Sequence, residues 1–172
     1  EIIQALPPEQ RQLAMQIYRV QTMVGYQQIP KTMVAWVEEC FGSVAEVERQ
    51  TIVRVNNDVT GEGTLFNELR AKRPIQSPSC PTTTLEQIER TDGCAFCKPD
   101  EQTPSDIGGR IIGKHSVTAS NIARYDASHC LIIPTEHNPL KFDIEKLTDY
   151  LAVAMRWFRV QHDSDANAAC PS

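Results

Sequence analysis

The sequence predicts an α+β fold built on an antiparallel sheet with packing helices. Three observations carry that expectation. Helical spacing of apolar residues dominates the first fifty positions, a β-rich hairpin follows between Thr51 and Phe66, and two further β-rich runs lead into one long amphipathic helix from Asp143. Strands grouped together, without a helix after each one, argue against a parallel sheet.

Taken in order, residues 7 to 24 are expected to form the first helix. Pro7 and Pro8 suit its start, Leu13, Ile17, Val20 and Val24 share one face, and Gly25 suits its end. A second helix is expected over Pro30 to Cys40, with Val34, Val37 and Phe41 inward and Gly42 ending it. Ser43 and Glu46 have the spacing of a capping box for a short third helix. The hairpin joins Thr51–Val55 to Thr64–Phe66 through the turn formers Asn56, Asn57, Asp58 and Gly61. A Pro/Ser/Thr-rich loop is expected at 74–84, one or two helical turns at 85–90, and a Pro/Gly-containing loop at 98–109. Strands are expected over Arg110–Ala119 and His129–Ile133. The last helix should run from Asp143, as its cap, to about Gln161, with Leu147, Leu151, Ala154 and Phe158 as its apolar stripe. Two regions follow: a helical N-terminal extension over 1–50, in which no chemistry is visible, and the remaining domain over 51–172.

Composition narrows the function. The chain has 172 residues, 41% of them hydrophobic, and a formal net charge of −5, with a pI near 5.4. An acidic chain of this kind argues against a nucleic-acid partner, since such domains carry a basic face. A few placed arginines can still bind a small phosphate ligand. No run approaches the roughly 18 apolar residues of a membrane span, and no signal-peptide pattern opens the chain. There are six cysteines: Cys40, Cys80, Cys94, Cys97, Cys130 and Cys170. One close pair within a long chain reads better as metal binding in a reducing, cytoplasmic compartment than as a disulfide framework.

That pair is Cys94-Ala95-Phe96-Cys97. Two thiolates three positions apart grip one tetrahedral zinc from a tight turn, and Gly93 and Pro99 supply such a turn. A thioredoxin-type redox pair would sit where a strand enters a helix, whereas both flanks here are loop-like. Further ligands must come from His115, His129, His137 or His162. His137 stands out because it lies just past the apolar run Leu131-Ile132-Ile133-Pro134. A second feature is Arg70-Ala71-Lys72-Arg73, three cations within four residues following a strand. Guanidinium forks suit bidentate phosphate contacts, although charge alone equally describes a solvated basic turn.

In sequence order, Thr60-Gly61-Glu62, Arg70-Ala71-Lys72-Arg73-Pro74, the Cys94/Cys97 pair, Ser120-Asn121, and His129-Cys130-Leu131-Ile132-Ile133-Pro134-Thr135-Glu136-His137 resemble the N-terminal portion of galactose-1-phosphate uridylyltransferases, members of the histidine-triad superfamily. The resemblance spans residues 51 to 161 and leaves 1–50 uncovered. Gly63 stands where that family has tryptophan, Ala95 where it has proline, and the segment between Asn121 and His129 is short.

The resemblance implies a HIT-like sheet, truncated before its catalytic strand. It implies zinc held by Cys94, Cys97 and His137, phosphate contacts from Arg70 and Arg73, possible across a homodimer interface, and Asn121 lining a nucleotide site. The implied reaction moves UMP between a UDP-hexose and a hexose-1-phosphate through a uridylyl-histidine. In the resembled family the fourth zinc ligand and the nucleophile are the histidines of an H-P-H-like motif after the long helix; no H-x-H occurs in the sequence, so both are expected outside this chain, which alone should be inactive. Two rival readings are a dinucleoside-polyphosphate phosphorylase or hydrolase of the same superfamily, and a non-catalytic zinc-stabilised nucleotide-binding module.

Overall fold

The computed structural model describes residues 2–74, 89–138 and 140–164. The loop expected at 74–84 and the helical turns at 85–90 fall almost wholly on 75–88, outside the described residues, as do Cys80 and Cys170. The fold is α+β with two antiparallel sheets. Its elements are α1 (Ile2–Ala5), α2 (Pro8–Ile17), β1 (Tyr18–Tyr26), a 3₁₀ turn (Lys31–Met33) continuing into α3 (Val34–Phe41), α4 (Val44–Glu48), β2 (Arg49–Asn57), β3 (Gly63–Phe66), α5 (Glu68–Lys72), a second 3₁₀ turn (Ala95–Cys97), α6 (Pro99–Gln102), β4 (Ser116–Ser120), β5 (Cys130–Pro134) and α7 (Ile144–Ser164).

The helix expected over residues 7 to 24 is only ten residues long, α2. It starts at Pro8 as anticipated but ends at Ile17, and β1 takes the remainder. The reason lies in the residues themselves. Tyr18, Val20, Thr22, Val24 and Tyr26 alternate with period two and are β-branched or aromatic, which favours a pleated strand. β1 then pairs antiparallel with β2 along all nine residues, from Tyr18 opposite Asn57 to Tyr26 opposite Arg49. The first fifty residues are therefore not all helical, and their strand lies in the same sheet as β2 and β3. Leu13 and Val20, expected to share one apolar helical face, are exposed.

The next elements follow the sequence closely. Gly42 ends α3 in the left-handed region, at φ +87°, which suits a residue without Cβ. The Glu46 N–H donates to Ser43 Oγ at 3.3 Å and caps α4. The hairpin is present, with Val53 opposite Phe66 and Asn56 opposite Gly63. Asn57 Oδ1 accepts from the N–H groups of Val59 and Thr60, at 3.0 and 3.2 Å. The Thr60-Gly61-Glu62 segment thus makes the turn itself. Met33, Val37, Phe41, Val47 and Leu69 form one apolar core beneath these helices.

The strand expected over Arg110–Ala119 is shorter. Only Ser116–Ser120 pairs with β5, from Ser116 opposite Pro134 to Ser120 opposite Cys130. The chain reverses just before it, with Gly113 N donating to Ser116 O at 2.8 Å. Asp149 on α7 fixes that reversal. Its carboxylate accepts from Lys114 N (2.8 Å), His115 N (3.0 Å) and Ser116 Oγ (2.7 Å). Gly113 lets the turn approach this closely, because a Cβ there would stand 2.6 Å from Asp149 Oδ2 and from Val153 Cγ2.

Asp143 caps α7 as expected, its Oδ1 accepting from Lys146 N at 2.9 Å. The helix is rotated from its expected orientation. Val153 and Trp157 are the buried residues, whereas Leu147, Leu151 and Phe158 of the expected stripe are exposed and Ala154 is half-buried. Polar anchors decide the rotation: Asp149 holds the β4 turn, and Trp157 Nε1 donates to Asp106 Oδ2 at 2.6 Å.

A buried polar seam joins the two sheets. Gln50 of β2 donates from Nε2 to Val47 O (2.8 Å) and Ile122 O (2.7 Å), while its Oε1 accepts from Asn67 Nδ2 (2.8 Å) and Arg124 N (3.0 Å). Gln27 also donates to Val47 O and Ile122 O, at 2.9 and 3.1 Å. Arg124, with only 2% of its side chain exposed, pairs with Asp106 at 2.7 Å. It also donates to Ser120 Oγ at 2.7 Å and to Ala127 O. Burial pushes the Arg124 pKa down, and Asp106 pushes it back up. An arginine remains charged in either case.

Replacing Asp106 with alanine leaves that guanidinium without its carboxylate and frees the Trp157 N–H. Chemical denaturation should record a loss of about 3–5 kcal/mol, the range for breaking one side of a buried pair. A second expectation concerns pH. Burial raises the Asp149 pKa, but the Ser116 hydroxyl and the Lys114 and His115 N–H groups outweigh it, so the net shift is downward. A lowered folded-state pKa stabilises the fold above the unfolded value, near 3.9, and the gain is lost as pH falls through the folded value. The stability gap between the native chain and Asp149→Asn should therefore be widest near neutrality and close in acid, as followed by denaturation at stepped pH.

Candidate metal centre

The Cys94–Cys97 loop is a tight knuckle. Gly93 sits at φ +76°, Cys94 N donates to Thr91 O and Cys97 N donates to Cys94 O, both at 3.1 Å. These turns aim both sulfurs to one side, as a CxxC metal knuckle requires. Arg110 then fixes the knuckle and α6 to the body of the protein. Its guanidinium donates to the carbonyls of Pro99 (2.7 Å), Thr103 (2.8 Å), Thr118 (2.9 Å) and Pro104 (3.3 Å), and its Nε meets Asp100 at 3.0 Å. One side chain thereby ties the loop after the cysteines to β4.

β5 brings the third donor. It ends at Pro134, and Thr135 N bonds to His115 O at 2.9 Å. The chain then turns so that His137 faces the knuckle. His137 Nδ1 lies 3.0 Å from Cys97 Sγ. The donor atoms of Cys94, Cys97 and His137 all fall within 4.8 Å of one another. Zinc bonds of about 2.3 Å to sulfur and 2.0 Å to nitrogen give tetrahedral edges of roughly 3.5–3.8 Å, so small side-chain adjustments suffice for one ion. This set of two thiols and one imidazole can hold a metal. Without one, the Cys97 pKa is raised, by desolvation first and then by the adjacent Cys94. Metal binding must therefore displace protons.

The other histidines are elsewhere. His115 Nε2 lies 3.3 Å from Glu145 Oε1, and His162 is exposed beside Asp163. His129 Nδ1 accepts from Tyr125 N at 3.1 Å, which puts its proton on Nε2. Burial, then Arg124 and Arg70, pushes its pKa below the ordinary value. Cys130 is equally separate: burial foremost raises its thiol to about 12. All four cysteines among the described residues are free of disulfides.

The expected phosphate-site residues gather at the far end of β5 from His137. Arg70 Nη1 donates to Ala123 O at 2.8 Å, and its Nη2 reaches the Tyr125 hydroxyl. The guanidinium carbon stacks 3.5 Å from the Tyr125 ring centroid. Asn121 Oδ1 accepts from Ala123 N at 3.2 Å and holds the same loop. Arg70 and Asn121 thus meet around Ala123. Arg73 is exposed and closes α5, its N–H donating to Arg70 O at 3.4 Å. Sequence reading missed Tyr125, 55 residues from Arg70, and the buried Arg124. No local periodicity marks either of them.

Comparison with protein-family models, curated proteins and solved structures finds no match for this chain. Among the described residues, no helix is long and apolar enough to cross a membrane.

Cys94→Ser and His137→Ala should each lower bound metal well below one equivalent when the purified protein is measured by inductively coupled plasma mass spectrometry. The native chain should melt at a higher temperature with metal than after chelation, because a ligand of the folded state stabilises it by mass action. Full metal retention in both variants would remove the centre.

Proposed function

We propose that this chain holds zinc through Cys94, Cys97 and His137 and forms the substrate-binding part of a HIT-like nucleotidyltransferase that moves UMP between a UDP-hexose and a hexose-1-phosphate. The observation that carries the reading is the meeting of two thiols and an imidazole from separate loops, at one end of a hairpin whose other end gathers Arg70 and Asn121. The donor set favours zinc, which takes sulfur and nitrogen in tetrahedral sites. Its thiols imply a reducing compartment, the cytoplasm.

The zinc supplies a structural crosslink. Cys94 and Cys97 hold the knuckle to His137 and so to the end of β5. Arg70 is oriented by Ala123 O and Tyr125, and a guanidinium retains further donors for phosphate oxygens beyond those two contacts. Arg73 adds an exposed charge one turn away. Phosphoryl transfer depends mainly on positioning and charge neutralisation, the work assigned to these two arginines. Asn121 sets the loop that faces the nucleotide.

The absence of any H-x-H motif gives these residues binding roles and leaves the nucleophilic step unassigned. Calorimetric titration of zinc-loaded protein with UDP-glucose and with diadenosine tetraphosphate tests the proposal. UDP-glucose should bind, and Arg73→Ala should weaken it by about tenfold, the loss of one charge-assisted contact. Stronger binding of diadenosine tetraphosphate would favour a dinucleoside-polyphosphate enzyme. No binding of either would sink the uridylyltransferase and dinucleoside-polyphosphate readings alike.

A further inference from the structure

Among the described residues, β1 is the outer strand of a three-stranded sheet. Two hydrogen bonds just beyond its ends fix the parity of its backbone. Asp58 N donates to Ile17 O at 2.8 Å, and Gln27 N donates to Glu48 O at 3.0 Å. Bonded pairs alternate along an antiparallel ladder, so the odd-numbered residues of β1 face β2. The even-numbered ones, Tyr18, Val20, Thr22, Val24 and Tyr26, turn their N–H and C=O groups to the outer edge. Tyr18 N is taken by Ala14 O, and Val20, Thr22 and Val24 form the middle of that edge. Natural edges are usually kept from pairing by Pro, Lys or a bulge. β1 contains neither residue, and its register against β2 runs unbroken from Tyr18 to Tyr26.

We propose that two copies of this chain join edge to edge through β1, antiparallel about a two-fold axis at Thr22. At its outward positions the strand reads alike in both directions: Tyr, Val, Thr, Val, Tyr. Reversal therefore sets Thr22 on Thr22, Val20 on Val24 and Tyr18 on Tyr26. Each is a favourable cross-strand pair, aromatic with aromatic or β-branched with β-branched. Opposed outward residues also exchange N–H···O bonds in both directions, which a slip of one residue would forfeit. On the other face Arg19, the charged residue of the strand, falls opposite Gly25, so like charges do not meet. Tyr18, Val20 and Tyr26 are 41, 49 and 51% exposed, and Thr22 is exposed, so the copies meet through side chains already at the surface. The pairing rests on neither the metal reading nor the nucleotide reading, since none of these residues belongs to those sites.

Sedimentation velocity of the whole chain measures the association, under reducing conditions that keep free thiols from cross-linking. Edge pairing makes a small interface, so the dimer should fill in over about 1–500 µM chain. Hydrogen exchange read by mass spectrometry should slow with concentration in peptides spanning residues 18–26. Thr22 supplies the decisive variants, because its side chain is exposed and its N–H faces away from β2. Thr22→Lys and Thr22→Glu each set like charges against one another at the axis and should weaken the dimer about fivefold. Mixed in equal amounts, the two variants should form a heterodimer that recovers this loss, because opposite charges then face each other.

Three results would each overturn the proposal: a chain that stays monomeric across that range; a dimer whose formation leaves exchange over 18–26 unchanged; or a mixture of the two variants no tighter than either alone. The first would give the β1 edge to another occupant, the second would place the contact elsewhere, and the third would refute the axis at Thr22.

Discussion

The structure depends on one charged pair, Arg124 with Asp106. Arg124 leaves the loop after β4, and Asp106 lies in the loop that follows α6. Their contact joins segments that share no regular hydrogen-bond ladder. Asp106 Oδ1 also accepts from Ser120 Oγ, and its Oδ2 accepts from Trp157. β4, α7 and the loop beyond the cysteine knuckle therefore converge on one carboxylate. An isolated buried guanidinium would be very costly. Here its donors meet Asp106, Ser120, Ala127 and Gln27, and no buried side-chain nitrogen or oxygen among the described residues lacks a partner. A network this fully satisfied enforces one arrangement of its elements, because most slips would orphan a polar group.

That constraint reaches both ends of the β4–β5 hairpin. Gln50 and Arg124 hold the loop from Asn121 to Tyr125 against β2, and this brings Ala123 O to Arg70. On the other side, Arg110 holds the loop after Cys97 to β4. The two clusters are built by different side chains yet share one rigid hairpin. Position along β5, more than contact between the clusters, relates the metal donors to the arginine site.

Local signals in the sequence were strong where local physics decides the outcome. Ser43 and Glu46, Gly42, the Asn57–Gly61 turn and the Asp143 cap all act within a few residues, and each was legible. The Cys94/Cys97 pair and His137 were legible for a different reason: their chemistry narrows the partners a thiol can have. What stayed hidden depends on distant partners. Tyr18–Tyr26 fits a helical stripe as well as a strand until β2 is placed beside it, and tertiary pairing overrides the weak helical preference. The face that α7 buries could not be read from its apolar residues, because Asp149 and Trp157 turn it through polar contacts. Arg124 resembled a surface residue of a loop, since nothing near it in sequence announces Asp106.

The separation of the metal donors has a consequence for biosynthesis. Cys97 and His137 are forty positions apart, and the strand that leads into the histidine is made later. While a ribosome is still extending the stretch between them, the two sulfurs are present without their imidazole and without the β5 scaffold that aims it. Closing so long a loop also costs chain entropy before any bond repays it. On the metal reading proposed above, the nascent thiols would be open during that interval to oxidation or mispairing, and metal supply during translation would bear on how many chains close the site.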